Sequence, residues 1–308
     1  MATRKQEKAS KFLEMLRYDG KRVIVAGASS GMGRATAELL AELGAEVYAL
    51  DVNVPEHVEY PNIHPLAVDL RNQESIERAV KEVGGAVNAL IITAGLKATH
   101  PPLDILLVMF CGLRHLIEQV IPFMLRDSAI TITTGGGSNL VWRKYAAEIR
   151  PLIETATFAE AKKWCEAHVE EFGKYGWGET KSDPEKRHYM NDVYVGSATY
   201  PFTKLAMHLY MVLKAVELKK LGIRINTECP GSTNTEMLAD WSADIARATG
   251  KEMLKDSGEK LAQPEEHAWL QAFLNSSAAA LINSVAIPAD RGSAELMIDT
   301  EWQWKKFD

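Results

Sequence analysis

Cysteine is scarce in this sequence: Cys111, Cys165 and Cys229 are the only three in 308 residues. They stand far apart, with neither a CxxC pair nor Cys/His ligand spacing. No disulfide framework and no metal site are expected, and the thiols read as buried side chains. Positive charge is also in short supply, since 35 Lys and Arg against 41 Asp and Glu leave a net charge of -6. Such a chain offers no basic patch to nucleic acid or to an anionic membrane. No stretch of about 18 apolar residues occurs, and the opening MATRKQEKASKFLEML has no apolar core of leader length. Together these absences point to a cytoplasmic protein whose partner is a small molecule, with no nucleic acid and no membrane involved.

What is present is a hydrophobic content of 46%, ample for a sizeable core. After a polar, helical arm over residues 1–20, apolar runs of strand length alternate with helical patterns. The runs are RVIVAG, EVYALDV, HPLAVDL, NALIITAG, AITITT, IRINTECPG and VAIPAD. Parallel strands need crossover helices and are buried on both faces, so this alternation predicts an α/β fold. The expectation is a Rossmann-type, doubly wound, parallel seven-stranded sheet in three α/β/α layers, with one domain over residues 1–308. The rhythm breaks over residues 138–191, a charged and aromatic segment with Trp142, Tyr145, Trp164, Phe172, Tyr175 and Trp177. Within it Ala161, Trp164, Cys165, Ala167 and Val169 fall near helical spacing, which predicts a helical insertion. It reads equally as a surface or oligomer contact and as a lid over a hydrophobic substrate.

The sequence VIVAGASSGMGRATAELL sets Gly27, Gly31 and Gly33 directly after the first strand and at the opening of a helix. Glycines allow a sharp turn and close approach to a pyrophosphate, and a helix start presents N–H groups and the positive end of a dipole. Ser29, Ser30 and Met32 fill the same turn and count with it as cofactor-binding. The second strand ends at Asp51, about twenty residues past the glycines, where an acid can bond the adenosine ribose hydroxyls of NAD. Its charge would repel a 2′-phosphate, and no Arg or Lys stands at Ser29, at Ser30 or after Asp51 to receive one. NAD(H) is therefore expected ahead of NADP.

The spacing Gly27-x3-Gly31-x-Gly33, with Tyr200-x3-Lys204 in TYPFTKLAMHLY far downstream, resembles the short-chain dehydrogenase/reductase family. VDL, with Asp69 and Leu70, is similar to that family's adenine-side contact, and Thr93, Ala94 and Gly95 to its NAG turn. IRINTECPGSTNT is similar to the strand and loop that hold the nicotinamide, and IPADRG to the final strand. The resemblance implies that Tyr200 is the acid/base and that Lys204 lowers its pKa and bonds the nicotinamide ribose. A phenol titrating near 10 needs such help, and Lys204 lies one helical turn on, on the same face. It also implies that Pro230 and Gly231 shape the nicotinamide loop and that Thr233 and Thr235 bond the carboxamide or phosphates. No metal is required.

By the same resemblance a hydroxyl at the end of the fifth strand orients the substrate oxygen. Register puts Thr134 there, with Ser138 as the fallback if Gly135, Gly136 and Gly137 fold back. ILLVMFCGLRHL departs further, with Met109 where the family has a relay asparagine; Thr93 and Ala26 are smaller departures. Met237, Leu238 and Trp241 read either as a loop closing on an apolar ligand or as ordinary helix packing. The implied reaction interconverts a secondary alcohol and a ketone. The insertion and the aromatic tail LMIDTEWQWKKFD resemble the 3α-hydroxysteroid dehydrogenase/carbonyl reductase subgroup, which implies a bulky apolar substrate such as a hydroxysteroid or terpenoid. A homodimer or homotetramer is implied as well. Another reaction on this fold (epimerase, dehydratase, enoyl reductase), an NAD-binding regulator and a bare scaffold stay open at this point.

Overall fold

A computed structural model describes residues 4–54, 58–135, 146–174, 199–249 and 260–292. Its frame is one seven-stranded sheet, all parallel, in the order β3-β2-β1-β4-β5-β6-β7. The strands are β1 (Arg22–Ala26), β2 (Glu46–Asp51), β3 (Ile63–Ala67), β4 (Val87–Ile92), β5 (Met124–Thr133), β6 (Arg224–Pro230) and β7 (Ala286–Ala289). All seven match runs read from the sequence. β5 starts earlier than AITITT, because Met124 already pairs with Val87 before a register shift precedes the Ala89–Ala129 pair. Asp127, at φ 68°, makes that irregularity possible.

The sheet has two buried faces because its strands alternate between two cores. Ile24 and Ala26 of β1 belong to one cluster, and Val23 and Val25 to the other. Ahead of β1 lies α1 (Arg4–Met15), and the smaller cluster lies under α2 (Gly31–Glu42). Beside α2 on that face lies the helix Pro264–Asn275. The larger cluster lies under α3 (Gln73–Val83), the helical run Pro102–Val120 and the long helix Thr199–Leu221. Pro102–Phe123 is long and apolar enough to cross a membrane by length and composition, yet 78% of its most apolar window is buried in the fold. Ile105, Leu106, Phe110, Leu116 and Ile117 of this run are fully buried.

Inside that run the chain makes α4 (Pro102–Leu106), a π-helical segment over Leu107–Gly112, and α5 (Leu113–Val120). Gly112 is needed here, since a Cβ at this position would run into the carbonyl oxygen of Leu70. The π segment carries Met109, at 1% exposure. π-turns inside helices commonly mark functional positions.

Of the predicted insertion, residues 146–174 are described and form α6 (Ala146–Ile153) and α7 (Phe158–Lys174). Ile149, Leu152, Phe158, Ala161 and Cys165 join the larger core, whereas Ala167 faces solvent. The buried Arg114 of α5 ties down the link between these helices. Its guanidinium donates to the Thr155 carbonyl at 3.0 Å, the Thr155 hydroxyl at 2.8 Å and the Thr157 carbonyl at 3.0 Å. This part is integrated into the larger core. Trp142, Tyr145, Tyr175, Trp177, the side chain of Phe172 and the aromatic tail lie outside the described residues.

Candidate active site

The glycine turn sits at the C-terminal ends of the strands, where open α/β sheets bind their ligands. Gly27 has φ 88°, and a Cβ there would overlap the backbone of Ala94. A Cβ at Gly33 would collide with the Gly27 carbonyl and the Thr93 hydroxyl. Only glycine lets β1, β4 and α2 meet this closely. Thr93 secures the meeting by donating to the carbonyls of Ala26 at 3.0 Å and Gly27 at 3.1 Å. The N-cap of α2 is Ser30, whose side chain makes no capping bond, and the first turn carries no acidic residue. The amides at this helix start therefore face the turn without a side-chain acceptor, as a phosphate site needs.

Asp51 closes one side of the glycine turn. Its carboxylate accepts from the Ser29 amide at 3.1 Å and the Asn53 amide at 3.1 Å, which aims it across the glycine turn. Asp69 instead engages Arg71, whose guanidinium donates at 2.9 and 3.0 Å. That bonding holds the Asp69 carboxyl below its ordinary range. The cradle of glycines, open amides and Asp51 fits a dinucleotide.

Tyr200 and Lys204 lie in the first turns of the long helix, α8 (Thr199–Leu221). The Lys204 ammonium is 5.5 Å from the centre of the Tyr200 ring and donates to the Thr133 carbonyl at 3.2 Å. Burial pushes the Lys204 pKa down to about 8, against a weaker opposing influence from Cys229. Met109 belongs to this environment: a Cβ at Gly95 would lie 3.9 Å from the Met109 methyl and 4.0 Å from the Lys204 nitrogen. The Thr203 hydroxyl meets the Met109 sulfur at 4.0 Å. The Met109 thioether and the Lys204 ammonium thus both border Gly95.

Thr134 is 2% exposed. Its hydroxyl donates to the Glu228 carbonyl at 3.2 Å and lies 3.2 Å from the Cys229 sulfur. It therefore faces β6, and must rotate to donate to a ligand. Ser138 lies outside the described residues. Trp241, in α9 (Glu236–Thr249), sets its ring 5.6 Å from that of Tyr200. Met237 on the same helix is 42% exposed and Leu238 is partly buried. The insertion also reaches this helix start, since the Trp164 ring stacks 6.3 Å from Phe202.

Beyond Pro230 the chain turns at Gly231, where a Cβ would be 2.9 Å from Asp290. The Thr235 methyl would lie 3.1 Å from a Cβ on Gly31, so this loop reaches back over the glycine turn. Thr233 is tied instead to a group that residue patterns did not reveal. Its hydroxyl lies 3.0 Å from His267 Nε2, and His267 Nδ1 is 2.6 Å from Glu228 Oε1. The available signal was Glu228 itself, a carboxylate within the strand-like run IRINTECPG. Such a group needs a buried partner.

Two family models match in succession: short chain dehydrogenase over residues 21–146, and Enoyl-(Acyl carrier protein) reductase over residues 189–294. Coniferyl-alcohol dehydrogenase of a Pseudomonas species is 23% identical, covering 92% of this chain and 100% of its own length. 3-alpha-hydroxysteroid dehydrogenase/carbonyl reductase of Comamonas testosteroni is also 23% identical, over 91% of this chain and 99% of its own. The structure of 3-alpha-hydroxysteroid dehydrogenase from Pseudomonas sp. B-0831, complexed with NADH, superposes with a TM-score of 0.68 at 22% identity, covering 90% of this chain and 98% of that one. The chain belongs to the short-chain dehydrogenase/reductase family. It is an oxidoreductase of alcohol and carbonyl groups that works with a nicotinamide cofactor.

Proposed function

We propose that the protein interconverts a bulky, apolar secondary alcohol and its ketone with NAD(H), as a cytoplasmic homodimer or homotetramer. The observation that carries this reading is the Tyr200 ring, which lies 5.5 Å from the Lys204 ammonium and 5.6 Å from the Trp241 ring. A phenol this close to a cation and an aromatic ring suits proton exchange with an apolar alcohol. Bound nicotinamide supplies or accepts the hydride. Tyr200 moves the hydroxyl proton, the positive charge of Lys204 favours its phenolate, and Thr134 orients the substrate oxygen.

In this reading Gly27, Ser29, Ser30, Gly31, Met32 and Gly33 receive the pyrophosphate, and Asp51 bonds the ribose. Asp69 and Leu70 border the adenosine, and the turn Thr93, Ala94 and Gly95 completes the cofactor site. Pro230, Gly231, Thr233 and Thr235 hold the nicotinamide end. The preference for NAD rests on the Asp51 carboxylate, which repels a 2′-phosphate. The relatives that act on coniferyl alcohol and hydroxysteroids, together with Met237, Leu238 and Trp241, support the apolar substrate. Exposed Leu213, Val216 and Leu221 on α8, with Trp269 and Leu281, offer apolar surface for self-association.

A panel of steroid and aromatic ketones, assayed with NADH and NADPH in parallel, tests the substrate and the cofactor together. In the Tyr200→Phe variant kcat is expected to fall by roughly 10²–10⁴-fold, with the NADH dissociation constant unchanged. Normal turnover in that variant would overturn the assignment.

A further inference from the structure

The helix Pro264–Asn275, α10, turns a polar stripe toward the sheet. His267, Gln271 and Asn275 follow one another at i, i+4 and i+8, so they share a face. All three are buried, at 2%, 0% and 5% exposure, and Glu228 opposite them is at 0%. A carboxylate this deep persists only with its oxygens engaged. Both are engaged: Oε1 by His267 Nδ1 at 2.6 Å, and Oε2 by Gln271 Nε2 at 2.6 Å.

From there the bonds lead outward to elements of the cofactor site. The Gln271 amide also donates to the Thr133 hydroxyl at 3.3 Å, next to the carbonyl that receives Lys204. Its oxygen accepts from Thr36 of α2 at 2.7 Å. His267 Nε2 meets the Thr233 hydroxyl at 3.0 Å. That hydroxyl has a single proton and two acceptors in reach, His267 Nε2 and the Gly231 carbonyl at 3.1 Å. With Nδ1–H committed to Glu228, Nε2 of a neutral imidazole is an acceptor, and it competes with the Gly231 carbonyl for this proton.

We infer that the buried chain Glu228–His267–Thr233 is the positioning device of the nicotinamide-facing loop. His267 fixes the Thr233 hydroxyl, and through it the backbone from Gly231 to Thr235. The inference rests on the cofactor reading above and deepens it. His267 does not itself touch cofactor or substrate; it is a positioning residue acting through Thr233. The backbone pairing of this loop with Ala262 keeps it folded. The imidazole selects where the Thr233 side chain points.

Three variants test this. His267→Leu alone leaves the Glu228 carboxylate unanswered and threatens the fold, so the informative protein is Glu228→Leu/His267→Leu, in which both polar groups go together. Thr233→Val is the third, examined alone and combined with that pair. In the cofactor-free proteins, amide exchange over residues 231–238 is expected to speed up about tenfold in the double variant, with β1 unchanged. The NADH dissociation constant should rise about tenfold, and kcat for a ketone from the panel should fall more than its KM changes. Adding Thr233→Val to the double variant should speed the exchange no further, since for the loop backbone both substitutions remove one interaction. Unaltered exchange and NADH affinity in the double variant would overturn the positioning role, even in a fully active enzyme. So would strictly additive effects of Thr233→Val on that exchange. Failure of the unsubstituted protein to bind NADH or NADPH would strike the cofactor reading and the positioning role together. It is told apart because it occurs without any substitution.

Discussion

Two halves of one sheet face are built on opposite principles. Under α2 the strands present Val23, Val25, Val47, Ala89 and Ile91, apolar side chains packed into a dry core. Under α10, the same face presents Thr131, Thr133 and Glu228, answered by Asn275, Gln271 and His267. The apolar half tolerates imprecision, because dispersion and burial are non-directional. The polar half does not, because each buried donor and acceptor needs one partner in one geometry. In the proposed function the tolerant half carries the adenosine end, where the turn backbone does the binding. The exacting half carries the nicotinamide end, where groups must align for reaction.

The largest expected effect breaks the polar half. Glu228→Leu leaves the His267 and Gln271 donors without their shared acceptor and should destabilise the protein by about 3–5 kcal/mol, measured by urea unfolding. A loss below about 1 kcal/mol, the scale of an ordinary hydrogen bond, would mean that packing holds this half as it holds the other. Gly33→Ala probes the junction of the halves. Its methyl would overlap the Gly27 carbonyl and Thr93 hydroxyl, so a cost of about 1–3 kcal/mol is expected. NADH affinity should fall with it, which isothermal titration would read; intact affinity would contradict the cradle.

In the apolar half, the fully buried Ile91 replaced by Val should cost only about 0.5–1.5 kcal/mol. Its NADH dissociation constant should match the unsubstituted protein, and a large shift would erase the distinction between the halves. The last expected effect is a pH dependence at Lys204, where burial lowers the pKa from 10.5 to about 8. Below pH 8 the fold holds a proton at a disadvantage. Between 8 and 10.5 the folded chain has released a proton that the unfolded chain keeps, so this residue's contribution to stability rises with pH across that window. Lys204→Met should therefore be the more stable protein at pH 7, with an advantage that shrinks from pH 8 to 10.5. Melting temperatures over that range check it, and a constant difference would exclude the depressed pKa.

Much of the adenosine half was readable in the chain. A glycine turn, the strand before it and the helix after it are neighbours in sequence, and Asp51 follows at the end of the next strand. The polar half was readable only in part. AITITT already alternates Ile with Thr, and Ile130 and Ile132 face the larger core while Thr131 and Thr133 face α10. Reading it as one apolar run concealed that alternation. Met109 was visible as a departure, but its place against Thr203 and Gly95 follows from the π segment, which no local residue pattern announces. Thr134 was placed by register, yet its hydroxyl is turned toward β6 by the Glu228 carbonyl.

By itself, the sequence determined the alternation of strands and helices, the glycine turn with its acid, and the Tyr200–Lys204 spacing. All of these depend on local periodicity and short-range sterics. Only the tertiary structure decided which groups share a buried environment. His267 lies 39 residues from Glu228 and Gln271 lies 43 from it, and nothing in either stretch specifies the other. Their meeting depends on where β6 sits in the sheet and on how α10 crosses it. A buried carboxylate can demand a partner from sequence, but only packing can choose which one.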